Sequence, residues 1–81
     1  MSTDLEALDL RPLPPRERHP LIFQRLDALQ AGQVLRLVND HDPAPLYYQI
    51  QATRPGQYDW RKTEDGPEVW RVEIERTGAQ P

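Results

Sequence analysis

Across residues 57–62 the chain alternates Tyr58 and Trp60 with Asp59 and Arg61. Across 68–76 it alternates Trp70, Val72 and Ile74 with Arg71, Glu73 and Glu75. A period of two marks a strand with one buried face. Glu64-Asp65-Gly66-Pro67 lies between these runs and is a turn sequence, so the pair predicts an antiparallel hairpin. Val34-Leu35-Arg36-Leu37-Val38 is β-branched and nearly continuous, which predicts a strand covered on both faces. Leu8-Asp9-Leu10-Arg11 alternates over a shorter stretch. Pro12, Pro14 and Pro15 stop it, because proline cannot donate to a ladder.

Two segments carry helical spacing instead. Pro15 suits a first helical turn over 15–18. The main helix is expected over 20–30, since Pro20 cannot bond back to the Arg16 carbonyl. Ile22, Leu26 and Leu29 form its apolar stripe with Phe23 beside them, and Gly32 stands where a helix-ending glycine is expected. Asn39-Asp40-His41-Asp42-Pro43 closes the preceding strand, and a second helix over 45–52 has Leu46 and Ile50 four apart. Pro55-Gly56 breaks it. The order predicts an α/β two-layer sandwich, β-α-β-α-β-β, with two helices on one face of a four-stranded mixed sheet. The first strand–helix–strand unit should be parallel. Trp70, Val72, Ile74, Leu35, Leu37, Ile22, Leu26 and Leu29 are expected to share one core. Trp60 and Trp70 read as core or cross-strand residues.

Composition limits how much more the chain can be. At 81 residues and 37% hydrophobic it can build one core, here expected over 7–76 with flexible termini at 1–6 and 77–81. Cysteine is absent, which removes disulfides, zinc–thiolate sites, thiol catalysis and persulfide carriage together. The longest run of large apolar residues is Leu21-Ile22-Phe23, far short of a bilayer span, and the start Met1-Ser2-Thr3-Asp4-Leu5-Glu6 is acidic, unlike a secretory leader. A cytoplasmic protein without membrane contact is expected. The net charge is −3, yet Arg11, Arg16, Arg18 and Arg25 face only Glu17 within residues 11–25. That patch is too small to replace counterions along a nucleic acid, so no nucleic-acid partner is expected. It could hold one anionic group.

The chemistry gathers at one edge. In a βαβ unit the carboxyl ends of the strands and the helix starts lie together, where ligands usually bind. Arg16, Glu17, Arg18 and His19 belong to the first such junction. Asp40, His41 and Asp42 belong to the second, with Tyr47 or Tyr48 beside them. The plain role of these residues is solvation, turn hydrogen bonding and helix capping. Two binding roles stand against it. Arg16, Arg18 and His19 at a helix start suit a small anion or an acidic group on a protein partner. His19, His41 and Asp40 could hold a divalent metal as cofactor. A catalytic pairing of Asp40 with Asp42 is the weakest reading, and no nucleophile sits near a histidine, so an enzyme is not expected.

The segments Leu8-Asp9-Leu10-Arg11, Pro15-Arg16-Glu17-Arg18-His19-Pro20-Leu21-Ile22-Phe23, Leu37-Val38-Asn39-Asp40-His41-Asp42-Pro43-Ala44-Pro45-Leu46-Tyr47-Tyr48-Gln49 and Gly66-Pro67-Glu68-Val69-Trp70-Arg71-Val72 resemble a known family. It is domain-of-unknown-function family 2249, a relative of the TusA/SirA-like sulfur carriers, and the resemblance runs over about 8–76. It implies the same β-α-β-α-β-β sandwich. The carriers hold persulfide on a Cys-Pro-x-Pro motif opening the first helix, whereas this chain has Glu17-Arg18-His19-Pro20 there. With no thiolate, sulfur transfer has no carrier atom. The resemblance also implies hemerythrin-like or other redox proteins as partners. A binding or adaptor module is the expected function, with a metal- or redox-centre-binding protein using His19 and His41 as the alternative.

Overall fold

The two alternating runs form the hairpin that ends the sheet. Strands β3 (Tyr58–Asp65) and β4 (Trp70–Arg76) pair antiparallel, with Tyr58 opposite Arg76 and Asp65 opposite Trp70. The register slips between Lys62 and Glu64, which bends an edge strand that is otherwise charged and exposed. β4 also pairs antiparallel with β2 (Val34–Asn39), placing Leu35 opposite Ile74 and Leu37 opposite Val72. β1 (Leu5–Asp9) lies parallel on the other side of β2, so the sheet order is β1-β2-β4-β3. These elements come from a computed structural model that describes residues 5–78.

Helices α1 (Pro15–Ala28) and α2 (Ala44–Thr53) complete the order β-α-β-α-β-β. Ile22, Leu26 and Leu29 of α1 and Leu46 and Ile50 of α2 enter one apolar cluster with Leu35, Leu37, Val72 and Ile74. Both helices therefore cover the same face of a mixed sheet, as the element order predicts. Leu10 and Tyr58 fill the ends of that cluster, and the Tyr58 hydroxyl donates to the Leu26 carbonyl at 2.8 Å. The opposite face carries no helix. Cross-strand ion pairs occupy it instead, including Arg36–Glu73 at 2.8 Å, Arg61–Glu75 at 3.3 Å and Arg71–Glu64 at 2.7 Å.

Several boundaries differ from the pattern. α1 runs unbroken from Pro15 through Pro20, instead of starting again at residue 20. Pro20 and Arg16 are both exposed, so water can take the carbonyl that Pro20 leaves without a donor. β1 starts at Leu5, because parallel pairing on β2 recruits backbone whatever the side chains. Leu10 continues that contact by donating to the Val38 carbonyl at 2.9 Å. α1 stops at Ala28, and Gly32, at φ +87°, serves the turn into β2 rather than the helix end. On the helix-free side of β2, Val34 and Arg36 are only half-buried. Trp70 is also half-buried and lies outside the core cluster.

Of the segments read as flexible termini, residues 1–4 and 79–81 lie outside the described residues. Thr77 is tied down, its amide donating to the Gln57 carbonyl at 3.0 Å. Among the described residues, no helix is long and apolar enough to cross a membrane.

Candidate functional site

Because β1 and β2 run parallel, both strands end on the same edge of the sheet, and α1 and α2 both start there. Arg16 and Glu17 lie exposed on the first turn of α1. Arg18 turns the other way and is 6% exposed. A buried guanidinium must place its donors inside the protein. Nε donates to the Leu13 carbonyl at 3.0 Å and Nη2 to the Arg11 carbonyl at 3.4 Å. Nη1 donates to Asn39 Oδ1 at 3.0 Å. Past Leu10 the proline-rich connection pairs with no strand, and Arg18 supplies donors to two of its carbonyls.

The remaining donors of Arg18 hold Asp40, Nη1 to Oδ1 at 2.9 Å and Nη2 to Oδ2 at 3.2 Å. This hydrogen-bonded guanidinium, and after it the His41 ring, hold the Asp40 carboxyl well below the usual range. A carboxylate only accepts, so His41 Nδ1 donates to Asp40 Oδ1, at 2.8 Å. The ring is exposed and its Nε2 makes no hydrogen bond among the described residues. His19 belongs to the same edge with a different neighbour: its Nδ1 meets Gln49 Oε1 of α2 at 2.9 Å. Asp42 Oδ1 accepts the Ala44 amide at 3.0 Å, which secures the start of α2.

The edge thus unites Arg18, Asp40 and His41 in one chain of contacts and leaves Arg16 and Glu17 in solvent. Among the described residues, no three His, Cys, Asp or Glu side chains stand close enough to hold a metal ion. His19, His41 and Asp40 do not make such a group by themselves.

A cavity of about 330 Å³ opens beside this edge, lined by Asp42, Ala44, Tyr47, Tyr48, Trp60 and Lys62. Of the residues placed at this edge from the sequence, Asp42, Tyr47 and Tyr48 belong to it. Tyr47 stands between the other two rings, with centroids 5.3 Å from both Tyr48 and Trp60. The interplanar angles are 73° and 68°, so the rings form walls and not a stack. The sequence held one signal for this cavity. With Leu46 and Ile50 buried, consecutive tyrosines at 47 and 48 must lie to the side of the helix. Their meeting with Trp60 depends on β3 lying at the sheet edge, which no local pattern shows.

The fold and its edge define a small two-layer α/β domain with a hydrogen-bonded junction loop, an aromatic cavity and no cysteine nucleophile. The chain belongs to the family of uncharacterized conserved proteins designated DUF2249, whose sequence pattern matches residues 7–76. Among curated proteins and among solved structures, none matches this chain.

Proposed function

We propose that the protein is a non-catalytic binding module that receives an acidic group, on a protein partner or as a small anion, at the start of α1 and the 39–43 loop. The observation that carries this reading is the Arg18–Asp40–His41 chain. Asp40 would repel an anion, but its charge is taken up by a buried arginine. The exposed Arg16 remains as a donor toward solvent, and His41 Nε2 joins it as a donor when the ring carries a second proton. A general-acid role suits Asp40 poorly, because Arg18 keeps it ionised. Cytoplasmic location in a bacterial cell and descent from a TusA-like carrier whose thiol was replaced are parts of the same reading.

One observation favours a second reading. Both histidines engage Nδ1 with an acceptor, Gln49 Oε1 or Asp40 Oδ1, leaving Nε2 unengaged, which is how metal-ligating histidines are commonly oriented. Such a site would need further ligands from a partner, for which hemerythrin-like or other redox proteins are the candidates. The two readings separate by NMR titration of both imidazoles with inorganic phosphate and with Zn²⁺ at pH 6 and pH 8. Anion binding strengthens toward pH 6, as imidazole gains charge. Metal binding weakens there, as protons compete for the ring. If neither ring nor any amide of the 39–43 loop responds to phosphate, the anion-receiving edge is disproved.

A further inference from the structure

The aromatic cavity beside the edge is a site of a different kind. Tyr47, Tyr48 and Trp60 supply three ring walls, and Tyr48, at 68% exposure, is the exposed large apolar side chain among the described residues. One exposed ring is ordinary on a protein surface, but three rings gathered around one opening form a contiguous apolar patch of the kind that marks a binding groove. The charges at the rim say which ligand it suits. Lys62 is already occupied: its Nζ is 3.2 Å from Asp65 Oδ1 and 5.4 Å from the centre of the Trp70 ring. Asp42 makes no ion pair among the described residues, and its bond to the Ala44 amide offsets the positive start of α2. Asp59 and Arg61, the neighbours of Trp60 along β3, alternate to the helix-free face of the sheet. Asp42 is therefore the lining charge without an ion-pair partner among the described residues, at the rim of a cavity walled by three rings.

We propose that this cavity binds the head group of a small quaternary ammonium compound. Ring faces attract a cation through their quadrupole, and Asp42 adds a charge of the right sign. N-Methylation matters for a specific reason. A primary ammonium brings three N–H donors and a guanidinium five, whereas the walls offer few acceptors. The Tyr47 hydroxyl already accepts from Gln51 Nε2 at 3.2 Å. A quaternary nitrogen has no N–H to satisfy. The volume of about 330 Å³ lies at the small end of ligand pockets, which suits one head group and not an extended molecule.

The test uses choline as the probe and 3,3-dimethyl-1-butanol as its uncharged isostere, following the Trp60 indole N–H by NMR at constant ionic strength. Choline should shift that resonance with a dissociation constant in the millimolar range, and the isostere should bind at least about tenfold more weakly. Tyr48→Ala, on an exposed side chain, should weaken choline about tenfold while leaving the fold intact. Asp42→Asn keeps an oxygen for the Ala44 amide and should weaken choline several-fold. Equal binding of choline and its isostere would show an apolar cavity and overturn the proposal, as would no shift at about 50 mM choline. Neither result bears on phosphate binding at the histidine edge, so the two proposals fail independently.

Discussion

Arg18 and Asp40, 22 positions apart, meet through both carboxylate oxygens, with the guanidinium buried and the carboxylate 44% exposed. The asymmetry separates their roles. Arg18 joins the chain entering α1 to the chain leaving β2, since it also bonds Leu13, Arg11 and Asn39. Asp40 passes that constraint outward to His41. The loop expected to carry function is thus held from beneath by a residue expected to be part of the contact surface.

Replacing Arg18 tests that division. Arg18→Ala removes a donor from the Leu13 carbonyl and from Asn39 at a buried position, and should cost about 2–3 kcal/mol. Asp40→Asn keeps an oxygen acceptor at a half-exposed position and should cost clearly less. Urea unfolding midpoints of the two variants give the order. An Arg18→Ala midpoint equal to the parent's would remove Arg18 from its structural role.

Acid should unfold the protein through these same contacts. Hydrogen bonds from Arg11 bring Asp9 down to about 2, Arg54 lowers Asp27, and Arg18 lowers Asp40. A carboxyl depressed in the folded state stabilises it fully above the unfolded value of about 3.9 and loses that contribution as pH falls through the folded value. Stability should therefore be flat from pH 7 to about 5 and drop between about pH 4 and 2. All three carboxylates are partly exposed, so added salt should shrink the drop. Urea midpoints at pH 7, 4, 3 and 2 measure it, and Asp40→Asn should flatten the curve. A variant curve parallel to the parent's would show that Asp40 does not contribute.

The sheet was the most legible part of the chain, because Leu35, Leu37, Val72 and Ile74 alternate and pair across one face. Proline misled at position 20, where an exposed carbonyl makes the lost bond tolerable. The candidate edge was legible as a place, since strand ends and helix starts coincide in any parallel βαβ unit. Which of its arginines is buried was not. Arg16 and Arg18 have the same chemistry two residues apart, and only the helix phase against the 10–14 connection turns Arg18 inward. The aromatic cavity was less legible still, since it joins α2 to an edge strand whose neighbours depend on the whole sheet order.

Tyr58 offers a test of how α1 is held at its far end. Its hydroxyl bonds the Leu26 carbonyl, and burial pushes the phenol above its usual range. Tyr58→Phe keeps the ring and deletes one buried bond, which should cost about 1 kcal/mol. For a domain of this size that is a fall of about 4–8 °C in Tm. Calorimetry of the two proteins measures the difference, and an unchanged Tm would mean that the ring alone holds the helix end.

Trp70 explains why position 66 admits only glycine. Gly66 has φ +64°, and a Cβ there would lie 2.5 Å from Cζ2 and 2.6 Å from Cε2 of the Trp70 indole. Gly56 has a similar φ of +75° with nothing within 4 Å of a Cβ, so it isolates the backbone cost. Gly56→Ala should destabilise by about 1–2 kcal/mol from the left-handed conformation alone. Gly66→Ala should cost more, because the ring must also move, and that movement should alter the indole fluorescence. Adding Trp70→Val to each alanine variant completes the comparison. Once the large ring is gone, the extra penalty of Gly66→Ala should vanish and match that of Gly56→Ala. A penalty at position 66 that stays unchanged without the indole would place its origin in the backbone and not in the contact with Trp70.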